Sequence, residues 1–215
     1  MRGKFIVFEG IDRSGKSTQI ELLKSQYKNN EAIFLFDPGS TGLGLQIRRI
    51  VKEGIGEEKI DDGAELLLFT AARAQICNSI IIPALKEGKT VFCDRFFAST
   101  MVYQGFSKSM QRTGVILELH EQFCNNLTPD LTFLFTLPIE IYRERGKNSD
   151  RRENVKDRFE GKQEEYTLQI MNHYNRISHM NLTPGIGKKI IEIDGTKSKE
   201  EIFNIIKSEI SLLRK

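Results

Sequence analysis

Residues 5–18 of the chain read FIVFEGIDRSGKST, an apolar run that leads through a glycine-rich turn into a helical pattern. The spacing from Gly10 to Ser17 is G-x-x-x-x-G-K-S, which is the motif of a phosphate-binding loop. Glycines let the backbone curl so that successive N–H groups face an anion, and a helix that begins near Lys16 adds its positive dipole end. Lys16 would reach the β- and γ-phosphates, and the Ser17 hydroxyl would bind Mg²⁺.

A chance glycine turn is the alternative explanation of this motif. It is disfavoured because the motif needs a strand before it and a helix after it, and residues 4–9 and 18–23 have those two patterns. We therefore predict a nucleoside triphosphate site. Its binding residues would be those of the loop: Gly10, Ile11, Asp12, Arg13, Ser14, Gly15, Lys16, Ser17 and Thr18.

The composition fits one soluble α/β domain spanning residues 1–215. Of the 215 residues, 39% are hydrophobic and 28% are charged, as in an ordinary globular protein, and the net charge of +3 is too small to indicate nucleic acid. Cys77, Cys93 and Cys124 are widely spaced and form no CxxC, so we expect reduced core thiols. No apolar run approaches the ~18 residues of a membrane span, and the first strand pattern begins too early for a signal peptide. These features predict a cytoplasmic protein without membrane or nucleic-acid partners.

Strand patterns alternate with helical patterns along the chain. Strands are predicted at residues 4–9, 32–36, 90–93, 131–137 and 189–193. Helices are predicted at residues 16–29, 43–52, 61–85 with a bend or end at Pro83, 98–104, 113–125, from Pro138, 159–179 and 199–213. Buried-type strands separated by helices predict a doubly wound five-stranded parallel sheet flanked by helices. Ligands of such folds bind beyond the carboxyl ends of the strands.

The pair Asp94-Arg95 closes the third strand pattern. In a phosphate-loop enzyme, a carboxylate at this position supports Mg²⁺ through water. A carboxylate that caps the next helix is the alternative, and the presence of the loop motif favours the metal. Arg95 is a candidate bidentate clamp for an anion.

Two further groups of residues could recognise a base and a sugar. Phe69 and Arg73 are four residues apart on the long helix, so they share a face that could stack on a base and bond its carbonyl edge. A core Phe beside a solvated Arg is the commoner arrangement on such a helix. Residues 99–104, with the sequence STMVYQ, add hydroxyls and a phenol that could contact base and ribose, although Ser and Tyr also cap and pack.

The segment from about residue 143 to 158 is dense in charge. Its basic residues are Arg143, Arg145, Lys147, Arg151, Arg152, Lys156 and Arg158. A solvated helix face is the usual reading of such a run. Phosphoryl-transfer enzymes also use lids that exclude water and bring in arginines, and this segment has the composition of a lid. Inside the loop motif, Asp12 and Arg13 are either solvated residues or a partner for a hydroxyl and a cation at the point of transfer.

These motifs together resemble the thymidylate kinase family of the nucleoside monophosphate kinases, over nearly the whole chain. The resemblance is carried by residues 8–19, 37–41, 65–73, 94–95, 99–105 and 157–160, in that order. It implies phosphorylation of dTMP by ATP to give dTDP and ADP, with Mg²⁺, by an enzyme that is usually a homodimer.

The resemblance also implies roles for single residues. Phe69 would stack on thymine and Arg73 would bond a thymine carbonyl. Ser99 and Thr100 would lie near the base, and Tyr103 would crowd the sugar 2′ position and so favour deoxyribose.

The implied phosphate and metal contacts are as follows. Substrate phosphate would be held by Arg95 with help from Arg48, and the sugar 3′-hydroxyl by Asp12. The catalytic cations would be Lys16, Arg13, Arg95, Arg151 and Arg152, and the residues around the metal would be Ser17, Asp94 and Asp12.

The chain departs from the family pattern at three places. Phe96 stands where the family often has Tyr or His after the Asp-Arg pair. Residues 36–40 read FDPGS, whereas bacterial members usually read REPGG, so one arginine on the phosphate side is missing. Arginines occur both in the loop, at Arg13, and in the lid segment, so either could act at the transition state.

Three alternative functions follow from the same motifs. The first is a kinase for another or a modified deoxynucleoside monophosphate. The second is a GTPase-type switch, which requires an Asn-Lys-x-Asp motif that the sequence lacks. The third is a nucleic-acid-dependent ATPase, which the weak net charge disfavours.

Overall fold

The structure is a computed structural model that describes residues 2–28, 30–106, 113–147, 164–179 and 184–213. Five strands form one parallel sheet: β1 (Phe5–Gly10), β2 (Ala32–Phe36), β3 (Thr90–Asp94), β4 (Leu131–Thr136) and β5 (Ile190–Asp194). Their order across the sheet is β2-β3-β1-β4-β5. The predicted doubly wound parallel sheet is confirmed, and β1 lies at its centre.

Helices flank the sheet. Their bounds are α1 (Lys16–Lys24), α2 (Gly42–Glu53), α3 (Asp62–Ile76), α4 (Ile82–Lys86), α5 (Phe97–Thr100), α6 (Thr113–Cys124), α7 (Ile139–Lys147), α8 (Glu164–Ser178) and α9 (Lys199–Leu213). Two π-helical turns interrupt this series, one at Cys77–Ile81 between α3 and α4 and one at Met101–Phe106 after α5. The α9 bounds agree with the prediction, and Asp61 caps α3 as its sequence position suggests, by accepting from Gly63 N at 2.8 Å.

Two apolar clusters cover the two faces of the sheet. Alternate residues of β1 point to opposite faces, with Phe5 and Val7 in one cluster and Ile6 and Phe8 in the other. The first cluster includes side chains from α3, α6 and α8, and the second includes side chains from α1 and α9. Cys77, Cys93 and Cys124 are buried free thiols, as predicted.

The register of the strands aligns their carboxyl ends. Phe8 of β1 lies opposite Asp94 of β3, and Phe36 of β2 pairs with the same residue from the other side. The loops that follow these three strands therefore meet at one edge of the sheet. All the motifs that the sequence places after β1, β2 and β3 converge there.

Helix ends were the least accurate predictions. The helix predicted for residues 16–29 ends at Lys24, because the Ser25 hydroxyl bonds Leu22 O at 2.7 Å and the ring of Tyr27 turns against Phe92 with centroids 5.2 Å apart. The helix predicted for residues 98–104 begins at Phe97 and continues as a π-helical turn to Phe106.

Pro83 does not end the long helix, which continues to Lys86. It lies directly after the π-helical turn Cys77–Ile81, where the backbone hydrogen bonds have already shifted, so its missing N–H is tolerated. The helix that was predicted to begin at residue 159 is described from Glu164 onward.

The continuous helical stretch Asp62–Lys86 is long and apolar enough to cross a membrane by length and composition alone. Here it packs against α2 and α6. It also buries two charged residues, Glu65 and Arg73, whose side chains pair with other elements of the fold. These contacts are those of a core helix.

Candidate active site

A cleft of about 680 Å³ lies beyond the carboxyl ends of β1, β2 and β3. The residues predicted for the site that line this cleft are Asp12, Arg13, Ser14, Gly15, Lys16, Ser17, Thr18, Arg48, Phe69, Arg73, Asp94, Arg95, Ser99, Thr100 and Tyr103. Gly10 and Ile11 lie beneath the cleft surface, with their carbonyl oxygens turned toward Lys16. Arg151, Arg152 and residues 148–158 of the predicted lid lie outside the described residues.

The glycine-rich loop joins β1 directly to α1, as the motif requires. Gly10 has φ 129° and Gly15 has φ 103°, values that suit glycine. A side chain at Gly10 would meet Phe135 O at 2.3 Å, so the loop also needs a glycine there for space. Helix α1 begins at Lys16, so its free N–H groups and positive dipole end face the cleft.

The ammonium group of Lys16 is held inside this loop. It donates to Gly10 O and to Ile11 O, both at 2.8 Å, and its side chain is almost fully buried. Burial and the nearby charge of Arg95 lower the pKa of Lys16 to about 8, although Asp94, Asp12 and Glu9 act in the other direction. Anionic phosphates in the cleft would supply the counter-charge that this ammonium needs.

Asp12 and Arg95 form an ion pair across the mouth of the loop. Arg95 Nη2 donates to Asp12 Oδ1 at 2.5 Å, and Nη1 of the same guanidinium donates to Gly10 O at 3.0 Å. Burial in the cleft opposes ionisation of Asp12, yet the charges of Arg95 and Lys16 prevail and lower its pKa well below the usual range. Asp12 is therefore a carboxylate that accepts hydrogen bonds, and Arg95 bonds both this side chain and the backbone of the loop.

A buried carboxylate, Glu9, lies behind Arg95. Its two oxygens accept from Phe96 N at 2.7 Å, Ser99 N at 3.1 Å, Ser99 Oγ at 2.7 Å and Tyr174 OH at 3.2 Å. Burial raises the pKa of Glu9, and the hydrogen bond from Ser99 and the charge of Arg95 oppose that rise. Tyr174 OH also accepts from Arg95 Nη1 at 3.0 Å, so α8 reaches the site through this hydroxyl.

Arg73 lies on the opposite wall in a buried ion pair with Asp37. Its Nε donates to Asp37 Oδ2 at 2.7 Å, and its Nη2 donates to Thr100 Oγ1 at 2.6 Å and to Phe96 O at 3.2 Å. The side chains of Arg73 and Asp37 are 4% and 0% exposed. Burial raises the pKa of Asp37, and the charge of Arg73 opposes this effect. The guanidinium is thus fixed in place before any base could meet it.

Phe69 and Arg48 complete this wall. Phe69 packs with Ile47 and Val51 of α2, which leaves its ring partly exposed to the cleft. The Arg48 guanidinium lies over the ring of Phe36 and donates to Pro38 O at 3.2 Å. Phe69 and Arg73 therefore share one wall, as their i, i+4 spacing predicts.

Tyr103 closes the cleft on the side of the π-helical turn Met101–Phe106. Its ring lies beneath the Arg95 guanidinium and meets the ring of Tyr174 edge-on at 6.3 Å. Burial raises the pKa of Tyr103, so its phenol is protonated at neutral pH. Ser99 and Thr100 are both engaged within the site, with Glu9 and Arg73 respectively.

Arg13 turns toward α7. Its guanidinium lies 4.6 Å from the centroid of the Tyr142 ring, and a side chain at Gly146 would meet Arg13 Nη1 at 2.3 Å. Arg145 donates to Arg13 O in the same loop at 2.8 Å, and to Gly195 O, after β5, at 2.6 Å. The first turns of the predicted lid segment thus contact the phosphate-binding loop.

Asp94, at the end of β3, carries the carboxylate that the sequence predicts to support a metal. Its Oδ1 is buried without a hydrogen-bond partner, which is costly unless water or a cation satisfies it. Ser17 lines the same cleft. Among the described residues there is no cluster of three or more His, Cys, Asp or Glu side chains that could hold a metal alone, so a cation here would depend on phosphate oxygens and water.

Sequence reasoning missed several residues of the site. Those that line the cleft or support it are Glu9, Asp37, Gln104, Tyr174, Gly195, Lys197 and Lys199. Asp37 and Gln104 belong to motifs of the sequence, at residues 37–41 and 99–105, and Gln104 is buried with its Nε2 2.9 Å from Glu65 Oε1. Tyr174 gives no local signal, because only the packing of α8 on the sheet brings it to Glu9.

The sheet order, the loop between β1 and α1 and the two-walled cleft define a P-loop fold of the nucleoside monophosphate kinase class. The family model for thymidylate kinase matches residues 8–206. This chain belongs to the thymidylate kinase family.

Similar proteins include two thymidylate kinases of known sequence. That of Prochlorococcus marinus (strain NATL1A) is 39% identical over 224 residues, covering 100% of this chain and 99% of the relative. That of Kosmotoga olearia is 37% identical over 215 residues, covering 98% and 97%. The crystal structure of thymidylate kinase from Ehrlichia chaffeensis superposes with a TM-score of 0.72 at 25% identity, over 98% of this chain and 99% of that one.

Proposed function

We propose that this chain transfers the γ-phosphoryl group of ATP to dTMP, giving ADP and dTDP, with the cleft holding both nucleotides. One cavity joins the glycine-rich loop to the wall of Phe69 and Arg73. This observation supports a donor site at the loop and an acceptor site at the wall. Arg95 lies between these two parts and bonds both the loop, at Gly10 O, and the hydroxyl network behind it. Family membership supports the reaction itself.

The donor nucleotide would bind to the loop and the N-terminus of α1. Backbone N–H groups of residues 13–18 would bind the β-phosphate, and Lys16 would exchange its contacts with Gly10 O and Ile11 O for phosphate oxygens. Arg145 and Lys197 line the same side of the cleft and would contact the rest of ATP.

The acceptor would bind across the opposite wall. Phe69 offers a ring for stacking on thymine, and the fixed guanidinium of Arg73 offers donors to its carbonyl edge. Tyr103, half-buried beneath the Arg95 guanidinium, would crowd the sugar 2′ position. The charged carboxylate of Asp12 would accept from the 3′-hydroxyl, and Arg95 and Arg48 would hold the acceptor phosphate.

Catalysis would consist of positioning and charge stabilisation. The phosphoryl group passes between the two nucleotides with charge on its equatorial oxygens, so fixed cations lower the barrier. Lys16, Arg13 and Arg95 all line the cleft, where Lys16 and Arg13 would face the donor and Arg95 the acceptor. We assign the catalytic roles to these three, with Arg151 and Arg152 as further candidates from the lid segment, residues 143–158.

The residues of the cleft fit a magnesium ion. We propose that the Ser17 hydroxyl binds it directly and that Asp94 supports it through water, since Asp94 Oδ1 is buried without a partner. Asp12 adds negative charge nearby. The ion, when bound with ATP, neutralises phosphate charge and orients the β- and γ-oxygens.

An ADP-release assay across the natural nucleoside monophosphates tests the proposed function. With ATP and Mg²⁺, we expect kcat/KM for dTMP to exceed that for UMP, CMP, GMP and AMP by at least about 10²-fold, because a buried hydrogen-bonding wall rejects mismatched partners strongly. Faster turnover of dUMP, dGMP or a modified pyrimidine than of dTMP would contradict the assignment and would identify a different deoxynucleotide kinase.

We also propose that the chain is one cytoplasmic domain that forms a homodimer. Three free buried cysteines suit a reducing compartment. Along α3 and the π-helical turn that follows it, residues 64, 67, 71, 75 and 78 form an exposed stripe of small, apolar or amide side chains, in which Leu67 is 58% exposed. On the neighbouring α6, Phe123 is 55% exposed. Together these form an apolar surface of the kind that homodimers bury.

Replacing Leu67 with Glu tests this dimer surface. We expect the variant to sediment as a monomer at concentrations where the parent chain sediments as a dimer, since an unpaired charge in an apolar interface is strongly unfavourable. Leu212→Glu, on α9 and 54% exposed, is the matched control and should leave the sedimentation unchanged. A parent chain that sediments as a monomer would contradict the proposal.

A further inference from the structure

A hydrogen-bond chain runs from the acceptor side of the cleft into the protein interior. Arg95 Nη1 donates to Tyr174 OH at 3.0 Å, and Tyr174 OH donates to Glu9 Oε2 at 3.2 Å. Ser99 Oγ lies 2.9 Å from the same phenol and donates to Glu9 at 2.7 Å. The donor and acceptor directions are fixed from Arg95 through Tyr174 to Glu9, because the guanidinium only donates and the carboxylate only accepts.

Each member of this chain is held by burial. Tyr174 is 2% exposed and Glu9 is 0% exposed, and the Arg95 side chain is 19% exposed. The Tyr174 ring also packs edge-on against Tyr103. Because the Tyr174 ring is buried and packed, its hydroxyl oxygen is held in place. This oxygen accepts from Arg95 Nη1 and so restricts the position of the guanidinium.

Arg95 needs such support because its backbone is in an uncommon conformation. Its φ is 66°, in the left-handed region, which is unfavourable for a side chain of this size. Glu9 accepts from the N–H groups of Phe96 and Ser99 and thereby holds the turn that carries Arg95. The carboxylate therefore supports both the backbone of Arg95 and, through Tyr174, its guanidinium.

We propose that Tyr174 and Glu9 are positioning residues that orient Arg95 toward the phosphate of the acceptor nucleotide. This inference rests on the proposed function, in which Arg95 holds that phosphate. Tyr174 belongs to α8, which follows the predicted lid segment in the chain, so the contact also links α8 to the acceptor site. Ser99 also accepts from Arg95 Nη1, at 3.2 Å, and lines the cleft itself, whereas Tyr174 and Glu9 do not line it. Loss of the Tyr174 hydroxyl should therefore act through Arg95, on the phosphate and not on the base.

The test compares the binding of dTMP and thymidine by titration calorimetry in the absence of ATP. In Tyr174→Phe, which keeps the ring and removes only the hydroxyl, we expect the Kd for dTMP to rise about tenfold, as a hydrogen bond to a charged group is lost. The Kd for thymidine, which lacks the phosphate, should change less than about twofold.

Two further variants keep this test falsifiable. Glu9→Gln should show the same split between dTMP and thymidine, because an amide cannot accept at both of its terminal atoms. Tyr27→Phe is the matched control, since its ring packs against Phe34 and Phe92 on the other side of the sheet, and it should change neither affinity. Thermal unfolding of each variant confirms that it is folded.

Equal weakening of dTMP and thymidine would overturn the proposal, because it would show a general disturbance of the site. A dTMP affinity in Tyr174→Phe equal to that of Tyr27→Phe would also overturn it. Failure of the parent chain to phosphorylate dTMP would instead contradict the proposed function, so the two failures are distinguishable.

Discussion

Replacing Arg13 with Ala is expected to lower kcat by about 10³–10⁵, with a much smaller change in the KM for ATP. The loss would be in kcat because a cation at the transferring phosphoryl group acts mainly in the transition state. Single-turnover measurement of dTDP formation at saturating ATP and dTMP gives this rate directly. Arg13→Lys, which keeps the charge but loses the planar fork, should fall between Ala and the parent.

The contacts of Arg13 suggest how its guanidinium is presented. It lies over the Tyr142 ring of α7, beside Gly146, at the junction between the loop and the predicted lid segment. Arg143 provides a matched control. It is an arginine of α7 that donates to Glu164 at 3.0 Å, and it does not line the cleft. Arg143→Ala should change kcat less than about twofold. A similarly mild effect of Arg13→Ala would move the catalytic role to Arg151 or Arg152.

Replacing Asp37 with Ala is expected to destabilise the fold by about 3–5 kcal/mol. The change would leave the Arg73 guanidinium buried without its carboxylate partner, at a position where its side chain is 4% exposed. For a chain of this size the melting temperature should fall by roughly 6–20 °C. Urea unfolding gives the free energy, and differential scanning calorimetry gives the temperature.

Two further variants distinguish the loss of the buried Asp37–Arg73 ion pair from the loss of any carboxylate. Glu53→Ala removes an exposed ion pair with Arg49 and should cost less than about 0.5 kcal/mol. The double variant Asp37→Ala with Arg73→Met removes both buried charges and should recover most of the stability, while dTMP binding stays impaired. If Asp37→Ala were no more destabilising than Glu53→Ala, the buried pair would not be a determinant of stability.

The sequence was sufficient for the sheet and for the phosphate-binding loop. Five apolar runs, each too short for a buried helix and separated by helical patterns, predict parallel strands, and the structure confirms them. The helix Lys199–Leu213 was predicted at both ends because its apolar spacing is regular throughout. A regular period of apolar residues along the chain was therefore enough to locate the five strands and α9.

Helix ends and π-helical turns could not be predicted, because contacts between distant residues decide them. The end of α1 depends on where the Tyr27 ring packs, and the start of α5 depends on Glu9 accepting from Phe96 N and Ser99 N. Glu9 is 87 residues away from Phe96 in the chain. Local propensities carry no information about such a partner.

The same contrast between local pattern and long-range contact applies to the residues of the candidate site. Position and spacing made Asp94, Phe69 and Arg73 candidates, although the pattern alone favoured a core Phe beside a solvated Arg, and the resemblance to the family supplied their roles. The partners that fix them, Asp37 for Arg73 and Tyr174 for Arg95, were missed. Their chemistry is unremarkable until the fold brings them within hydrogen-bonding distance of a guanidinium.

The central position of β1 has a consequence for the distance over which the phosphoryl group travels. The donor loop leaves β1, the acceptor arginine leaves β3, and Arg95 N is bonded to Phe8 O at 2.9 Å. Neighbouring strands are held about 4.8 Å apart by their backbone hydrogen bonds. In the proposed complex, the main chain would therefore fix the spacing between the loop that holds the donor and the strand end that carries Arg95. Substitutions of the side chains would leave this spacing unchanged.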